Sequence, residues 1–479
     1  MTKDLTLDKK IIGVIGAFLF ISPNLNIPES ILMYCGIESH DIVRLISIGF
    51  FAVVDLALGI LFLRSKPGKK ECLIFVISNI IYIFPLLFWF DVTEVIQYLF
   101  FVVPVTIFAL KLSIDDEVKE YFFLSMKAFV IVLFVIAIIY ISLLYFSKNR
   151  DYGGVLIIKN LTHGDMGYLF LNGFVISLIG IAYGERKIYN ILGIVLFSVA
   201  ILFAGNRSAI LCAIFGVILW IVLLLLKAKR EKIFSSIIVV LVLIVTVTIG
   251  SFIVPDGSRL HFINYNISSP GFSLKDLLYE TREEDSDIMV IYTPTGSQER
   301  ISDVYENEIV TNDGKKSDTE KMLRDDVVSG RNEYITLVNK EDIDFVKDYS
   351  LITNRLFLWR VAIKEYIKHP IFGNGPRYFV KKYDGYYPHN IILEVMADFG
   401  AVGLVVLVSL GLYCFIRGVR YYKKDNSYYG FGLILLLFSH IPRYLLYTTI
   451  YSNPTIAMTI VLFITIGRLG SDTLNKRSE

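Results

Sequence analysis

Apolar blocks as long as a bilayer is thick recur along most of this chain. Each runs roughly 17–25 residues, the length of helix that crosses the hydrocarbon core. We count about twelve, near residues 10–27, 43–63, 72–90, 93–111, 121–146, 167–183, 188–204, 207–226, 233–254, 391–416, 428–446 and 454–469. Backbone N–H and C=O groups cannot go unpaired in hydrocarbon, so each block is expected to be a helix. The fold class that follows is an all-α polytopic membrane protein. Its composition, 54% hydrophobic and 19% charged, agrees. The third and fourth blocks are close, with Asp91-Val92-Thr93-Glu94 as the turn. "MTKDLTLDKK" followed by "IIGVIGAFLF" resembles a signal sequence without a small-residue cleavage site, and reads as an uncleaved first helix. Of the four cysteines only Cys35 lies in a loop, so no disulfide framework is implied. The formal net charge of +2 gives no sign of a nucleic-acid partner.

Lys and Arg in the short loops set the orientation. "RSKPGKKE", "KLSIDDEVKEYFFLSMK", "GERK", "KAKREK" and "RGVRYYKK" alternate with loops poor in basic residues. Both termini are therefore expected in the cytoplasm. Three regions result: residues 1–254 with nine membrane helices, an extracytoplasmic loop at 255–390, and 391–479 with three more helices.

The outer loop has two halves. Residues 255–350 hold 21 Asp/Glu against 11 Lys/Arg and read as a solvated, turn-rich insertion. Its "DID" at 342–344 is a weak match to a nucleotide-sugar motif and is discounted, since those sugars are cytoplasmic. In 351–390 the balance reverses. "NRLFLWRVAIKEYIK" reads as an amphipathic helix stopped by "HPIFGNGP". On it Arg355 and Trp359 share a face. Arg360, Lys364 and Lys368 form a second stripe, for which lipid-headgroup contact or solvation is the simplest account. Arg355 and Arg360 are about 140° apart around the axis, too far to aim at one small site.

Two further positions are anomalous. In "AGNRSAIL", Gly205-Asn206 reads as an outer turn with Asn206 as N-cap. Arg207 then faces the positive end of its own helix, a penalty of roughly 0.3–1 kcal/mol, on the side where basic residues are otherwise scarce. An anionic partner offsets both penalties; snorkelling to headgroups is the alternative. In "YYPHNIILEVMADFG", Asn390 reads as the N-cap of the tenth membrane helix, with His389 just outside. The dipole there favours neutral imidazole, the form a general base needs. A structural loop histidine is the other reading. Among the tyrosines before it, Tyr387 is a candidate sugar-stacking residue, and an interfacial aromatic belt is the alternative role.

"RSAIL", "NRLFLWRVAIKEYIKHPIFGNGP" and "PHNIILEVMADFGAVG" occur in that order at matching topological positions. Together they resemble the O-antigen ligase/polymerase superfamily of bacterial membrane glycosyltransferases, over roughly residues 160–415. The resemblance implies a GT-C type O-antigen ligase fold of about twelve helices in the cytoplasmic (inner) membrane, with the active site on the extracytoplasmic face. It implies metal-independent, inverting transfer from an undecaprenyl-diphosphate-linked oligosaccharide to a glycan acceptor, without a cofactor. A chain-length regulator and a flippase are the protein partners it brings. His389 takes the role of catalytic base, and Arg207, Arg355, Arg360, Asn390 and Tyr387 that of substrate binding. The acidic insertion is longer than the family pattern and inherits nothing from it.

A polymerase of repeat units in capsule or O-antigen synthesis is the preferred activity. The Ile-, Lys- and Tyr-rich, Ala-poor composition, that of an AT-rich genome, is compatible with a capsule polymerase. A ligase passing the finished glycan to a lipid A core or a protein is the alternative. A flippase or transporter is the third reading. Against it, no internal repeat is visible, Asp55 and Asp398 are the main charges within the blocks, and Arg207, Arg355 and His389 gather at one face.

Cysteine placed at Asp313 is expected to react with a membrane-impermeant reagent on intact cells. Reaction only after permeabilisation would reverse the orientation.

Overall fold

The apolar blocks do become helices, and their ends fall where charged or turn-forming residues interrupt them. The computed structural model describes residues 2–21, 35–37, 39–83, 98–146, 163–226, 230–253, 288–294, 333–339, 351–382, 387–425, 428–446 and 454–466, with a few isolated positions between. We name the helices α1 Thr2–Ile21, α2 His40–Arg64, α3 Lys69–Ile83, α4 Val103–Ile114 (entered through a π turn at Tyr98–Val102), α5 Asp116–Phe146, α6 His163–Tyr183, α7 Lys187–Ala204, α8 Arg207–Leu225 and α9 Arg230–Ile253. After the long loop come α10 Leu351–Lys368, α11 Tyr378–Lys382, α12 Ile391–Asp425, α13 Tyr428–Phe438, α14 Ile441–Leu446 and α15 Pro454–Thr465.

Among the described residues seven helical stretches are long and apolar enough to cross a bilayer: Asp41–Arg64, Asp116–Leu143, Gly164–Tyr183, Lys187–Ala204, Arg207–Leu225, Ile391–Lys424 and Tyr428–Leu446. Tyr98–Ile114, Val239–Gly250 and Pro454–Thr465 are shorter apolar helices. The chain is a multi-pass membrane protein. Helix α6 lies at the centre, packed on α5, α7, α8 and α13. Phe170, Phe174, Phe197, Trp220 and Phe431 are fully buried around it, and the Trp220 indole donates to the Leu178 carbonyl on α6 at 2.9 Å. The outer faces of α2 and α5 remain apolar and exposed, as at Leu45, Val53, Ile131 and Val135. Such surfaces suit lipid, where exposure of apolar side chains costs nothing.

The expected all-α chain contains one exception. Within the acidic insertion, β1 (Ile288–Pro294) pairs antiparallel with β2 (Glu333–Asn339), from Ile288 opposite Asn339 to Pro294 opposite Glu333. "IMVIYTP" and "EYITLVN" are rich in β-branched and aromatic residues, the composition that favours strands. An acidic average over the whole insertion concealed them.

Two apolar blocks expected to be continuous are broken. One break lies between α13 and α14, at Ser439-His440. The other lies inside α12 at Gly400, with φ 63° and ψ −159°, a conformation that is essentially glycine's alone. A break of this kind strands backbone donors and acceptors on either side. The loop "HPIFGN" after α10 takes them up. Ala401 N and Val402 N donate to the carbonyls of Pro370 and Ile371 at 2.8 and 3.1 Å. In return Asn374 N and Gly375 N donate to the carbonyls of Ala397 and Asp398 at 3.1 and 2.8 Å. The Asn374 side-chain amide adds bonds to the carbonyls of Ala397 and Glu365, at 2.9 and 3.1 Å. The backbones approach so closely that a Cβ at Gly400 would lie 2.5 Å from the Ile371 carbonyl.

Side chains complete the lock. Asp398 is no stray mid-span charge: its buried carboxylate accepts from Arg377 N and Phe379 N at 3.0 and 3.1 Å and so caps α11. Glu365, also buried, accepts from Lys368 Nζ, Lys382 Nζ and Tyr378 Oη at 2.9, 2.7 and 2.9 Å. Lys368 thus has a protein partner, whereas the sequence assigned its stripe to headgroups or solvent. Leu358, Ala362, Phe379 and Ala397 form the small apolar core of this α10–α11–α12 unit.

Gly400→Ala is expected to destabilise the protein by about 3 kcal/mol from backbone strain alone, and further through the clash with Ile371. Gly411→Ala on the same helix, where an added Cβ meets nothing within 4 Å, should be neutral or slightly stabilising. Thermal midpoints of the two detergent-purified variants check this; equal midpoints would refute the lock.

Candidate functional site

Local sequence places Arg207. Gly205 ends α7 in the left-handed conformation, φ 60°. The Asn206 side-chain oxygen then accepts from Ser208 N and Ala209 N at 3.1 and 3.3 Å, and from Ser208 Oγ at 2.7 Å. Its amide nitrogen donates to the Gly164 carbonyl on α6 at 3.1 Å, which fixes the orientation of the amide. Gly167 permits this contact: a Cβ there would sit 2.8 Å from the Asn206 Cβ. Arg207, half-buried, is the first residue of the helix so anchored.

His389 is held by the same kind of device. The Asn390 side-chain oxygen accepts from Ile392 N and Leu393 N at 3.0 and 3.3 Å. Its acceptor is therefore engaged in capping α12. His389 itself has φ 52°, a left-handed conformation unusual for a non-glycine residue. Two contacts around it accompany that conformation. The Trp359 indole donates to the Pro388 carbonyl at 2.8 Å. The Tyr387 ring lies 4.2 Å from the imidazole, centroid to centroid and tilted by 46°. Trp359 thus ties α10 to the residue immediately before His389. Arg355 falls one turn earlier on that helical face, and Arg360 on another. The side chains of both lie outside the described residues, as do Tyr383 and Tyr386.

Other contacts were not anticipated from sequence. In the first turn of α12 the buried Glu394 accepts from Thr449 Oγ1 at 2.6 Å. Helix α14 packs on both α8 and α12, the two helices that carry Arg207 and follow His389. Arg443 of α14 stacks on Tyr168 of α6, with Cζ 4.1 Å from the ring centroid. The Tyr168 hydroxyl hydrogen-bonds Ser208 Oγ. Arg443 is a further charge within the apolar blocks, beside Asp55 and Asp398: "SHIPRYLLY" places it inside the eleventh. Among the described residues no group of three or more His, Cys, Asp or Glu converges as a metal site.

Residues 192–408 match the family model described as O-Antigen ligase. Over that stretch, a little under half of the chain, the sequence is similar to the O-antigen ligase family. The match runs from within α7, through α8 to α11, to a point just past the Gly400 break. It includes every sequence-predicted site residue: Arg207, Arg355, Arg360, Tyr387, His389 and Asn390. No curated protein matches the chain. The O-antigen ligase family supports a role in surface-polysaccharide synthesis of the ligase or polymerase type, with lipid-linked oligosaccharide and glycan as the general substrate classes.

Trp359→Phe keeps an aromatic ring but leaves the Pro388 carbonyl without its donor, a loss of about 1–3 kcal/mol if the carbonyl is left dry. Amide exchange at residues 387–390 is expected to accelerate more than exchange in α8. Unchanged protection would show that the tie does not hold His389.

Proposed function

We propose that this protein polymerises lipid-linked oligosaccharide repeat units on the outer face of the bacterial inner membrane. The donor is an undecaprenyl-diphosphate-linked glycan, and the reaction is an inverting, metal-independent glycosyl transfer. The supporting observation is the Trp359–Pro388 bond, which joins the arginine-bearing helix α10 to the histidine at the start of α12.

The chemistry needs two groups on opposite sides of the donor sugar. An acceptor hydroxyl attacks the anomeric carbon through an oxocarbenium-like transition state. His389 takes its proton as the new C–O bond forms. The bond from the anomeric carbon to the phosphate oxygen breaks, and the diphosphate leaves with that electron pair. The guanidinium forks of Arg207 and Arg355 neutralise the charge that develops there, bidentate to phosphate oxygens. Tyr387, packed on the imidazole, adds a wall against which a sugar ring can lie.

The family description favours one further reading, a ligase that moves the completed glycan to a lipid A core or a protein. The two activities share the donor and the roles of His389, Arg207 and Arg355. They differ in acceptor alone.

Reconstitution of the purified protein with undecaprenyl-diphosphate-linked repeat units tests the proposal. Lengthening glycan ladders support the polymerase; a single transfer to added core lipid or protein supports the ligase; no new glycosidic bond refutes both. His389→Ala should lower turnover about 10²–10⁴-fold with donor affinity nearly intact. Loss of donor binding in step with turnover would make His389 a donor contact instead. Arg207→Lys and Arg355→Lys should impair transfer severely, and Arg360→Lys far less.

A further inference from the structure

Arg443 lies in the last turn of an apolar span, Tyr428–Leu446, and outside the stretch that matches the family. An arginine near the end of a membrane helix ordinarily reaches outward to headgroups. This one turns inward. Its guanidinium sits over Tyr168, which is only 5% exposed and belongs to α6, the most enclosed helix of the bundle. Stacking on the ring face stabilises the cation in part, but supplies no counter-charge. Among the described residues Arg443 Nε has no hydrogen-bond partner and no carboxylate pairs with the guanidinium. The side chains around it among the described residues are neutral. His440 Nε2 lies 3.3 Å from Asn172 Oδ1, and the Tyr168 hydroxyl goes to Ser208 Oγ.

The position of this cation relates it to the predicted site. Ser208 is adjacent in sequence to Arg207, so Arg443 lies over the ring whose hydroxyl bonds the residue next to Arg207. The α14 backbone packs on α8, and Thr449, three residues past the end of α14, donates to Glu394 in the first turn of α12. The helix that carries this arginine thus packs on both halves of the site.

We propose that Arg443 is a third donor-binding guanidinium and takes a phosphate oxygen of the lipid-linked diphosphate, together with Arg207 and Arg355. The inference rests on the donor assigned above and extends it to a residue that the family match does not include. A diphosphate carries several negative oxygens, and a planar fork reads two at once, which a point charge does not. Among the described residues no carboxylate neutralises this inward cation, which suits it to such a ligand.

The test uses the full-length protein in lipid nanodiscs, with undecaprenyl diphosphate, undecaprenol and phosphatidylglycerol as probes. Wild type should bind undecaprenyl diphosphate in a manner that inorganic diphosphate displaces, and should bind undecaprenol weakly. Arg443→Gln should weaken undecaprenyl diphosphate by about 10–100-fold, the range for loss of a charged hydrogen bond, and leave undecaprenol unchanged. Arg443→Lys should recover part of that loss. In turnover the donor KM should rise while the acceptor KM holds. Thermal midpoints are recorded for both variants; if Arg443→Gln fails to fold, a wild-type donor affinity in Arg443→Lys overturns the proposal and a raised donor KM supports it. Equal binding of undecaprenyl diphosphate by wild type and folded Arg443→Gln overturns the inference and leaves the donor assignment standing. Wild type that binds no undecaprenyl diphosphate overturns both. An equal loss of phosphatidylglycerol binding in Arg443→Gln makes the site a headgroup contact and overturns the donor role.

Discussion

A helix broken at Gly400 leaves backbone groups that have no partner within their own helix, and the loop at 370–375 satisfies four of them. Much of the candidate site depends on that exchange. It fixes α11 through Asp398 and α10 through Asn374 and Glu365. Helix α10, so placed, presents Trp359 to the Pro388 carbonyl, and that bond in turn sets the backbone at His389. Polar backbone pairing, the strictest requirement of an apolar environment, is thereby converted into the position of one imidazole. Apolar packing alone would not do this, because the core of the unit has only four buried residues among those described.

Asparagine caps serve both predicted halves of the site. Asn206 precedes Arg207, and Asn390 follows His389. Each side-chain oxygen accepts from amides two and three residues on, so the backbone next to the functional residue is pinned within a single turn. Each cap also marks a helix N-terminus, where the partial positive charge favours an anion. That field raises the cost of Arg207, and an anion bound there would offset it. A donor site built on the two caps would therefore gain from its ligand what it loses in the resting state.

Local features were legible in the sequence and non-local ones were not. Both caps, the turn at Gly205 and the helix that begins near Leu351 follow from a few adjacent residues. The break in α12 does not. "DFGAVG" fits an unbroken helix as well as a kinked one, and the partners of Ala401 and Val402 lie some thirty residues upstream. Asp398 looked like an isolated charge for the same reason, since the amides it caps are at Arg377 and Phe379. Lys368 was assigned to headgroups or solvent, although Glu365 on its own helix holds it and also recruits Lys382 and Tyr378 from the next. The strands of the insertion were hidden by averaging over a long acidic segment. Arg443 was visible as a charge, but its contact with Tyr168 joins residues far apart in the sequence.

The direction of synthesis gives the Gly400 lock a further consequence. Residues 369–375 leave the ribosome before residues 397–402. The polar half of the lock is therefore already synthesised when the apolar half follows. A reversed order would insert a defective helix first and expose its loose amides to lipid until the loop arrived. The acidic insertion lies upstream of both halves. Its length can change without altering the interval between them, so the growing chain meets the same assembly step whatever the insertion contains.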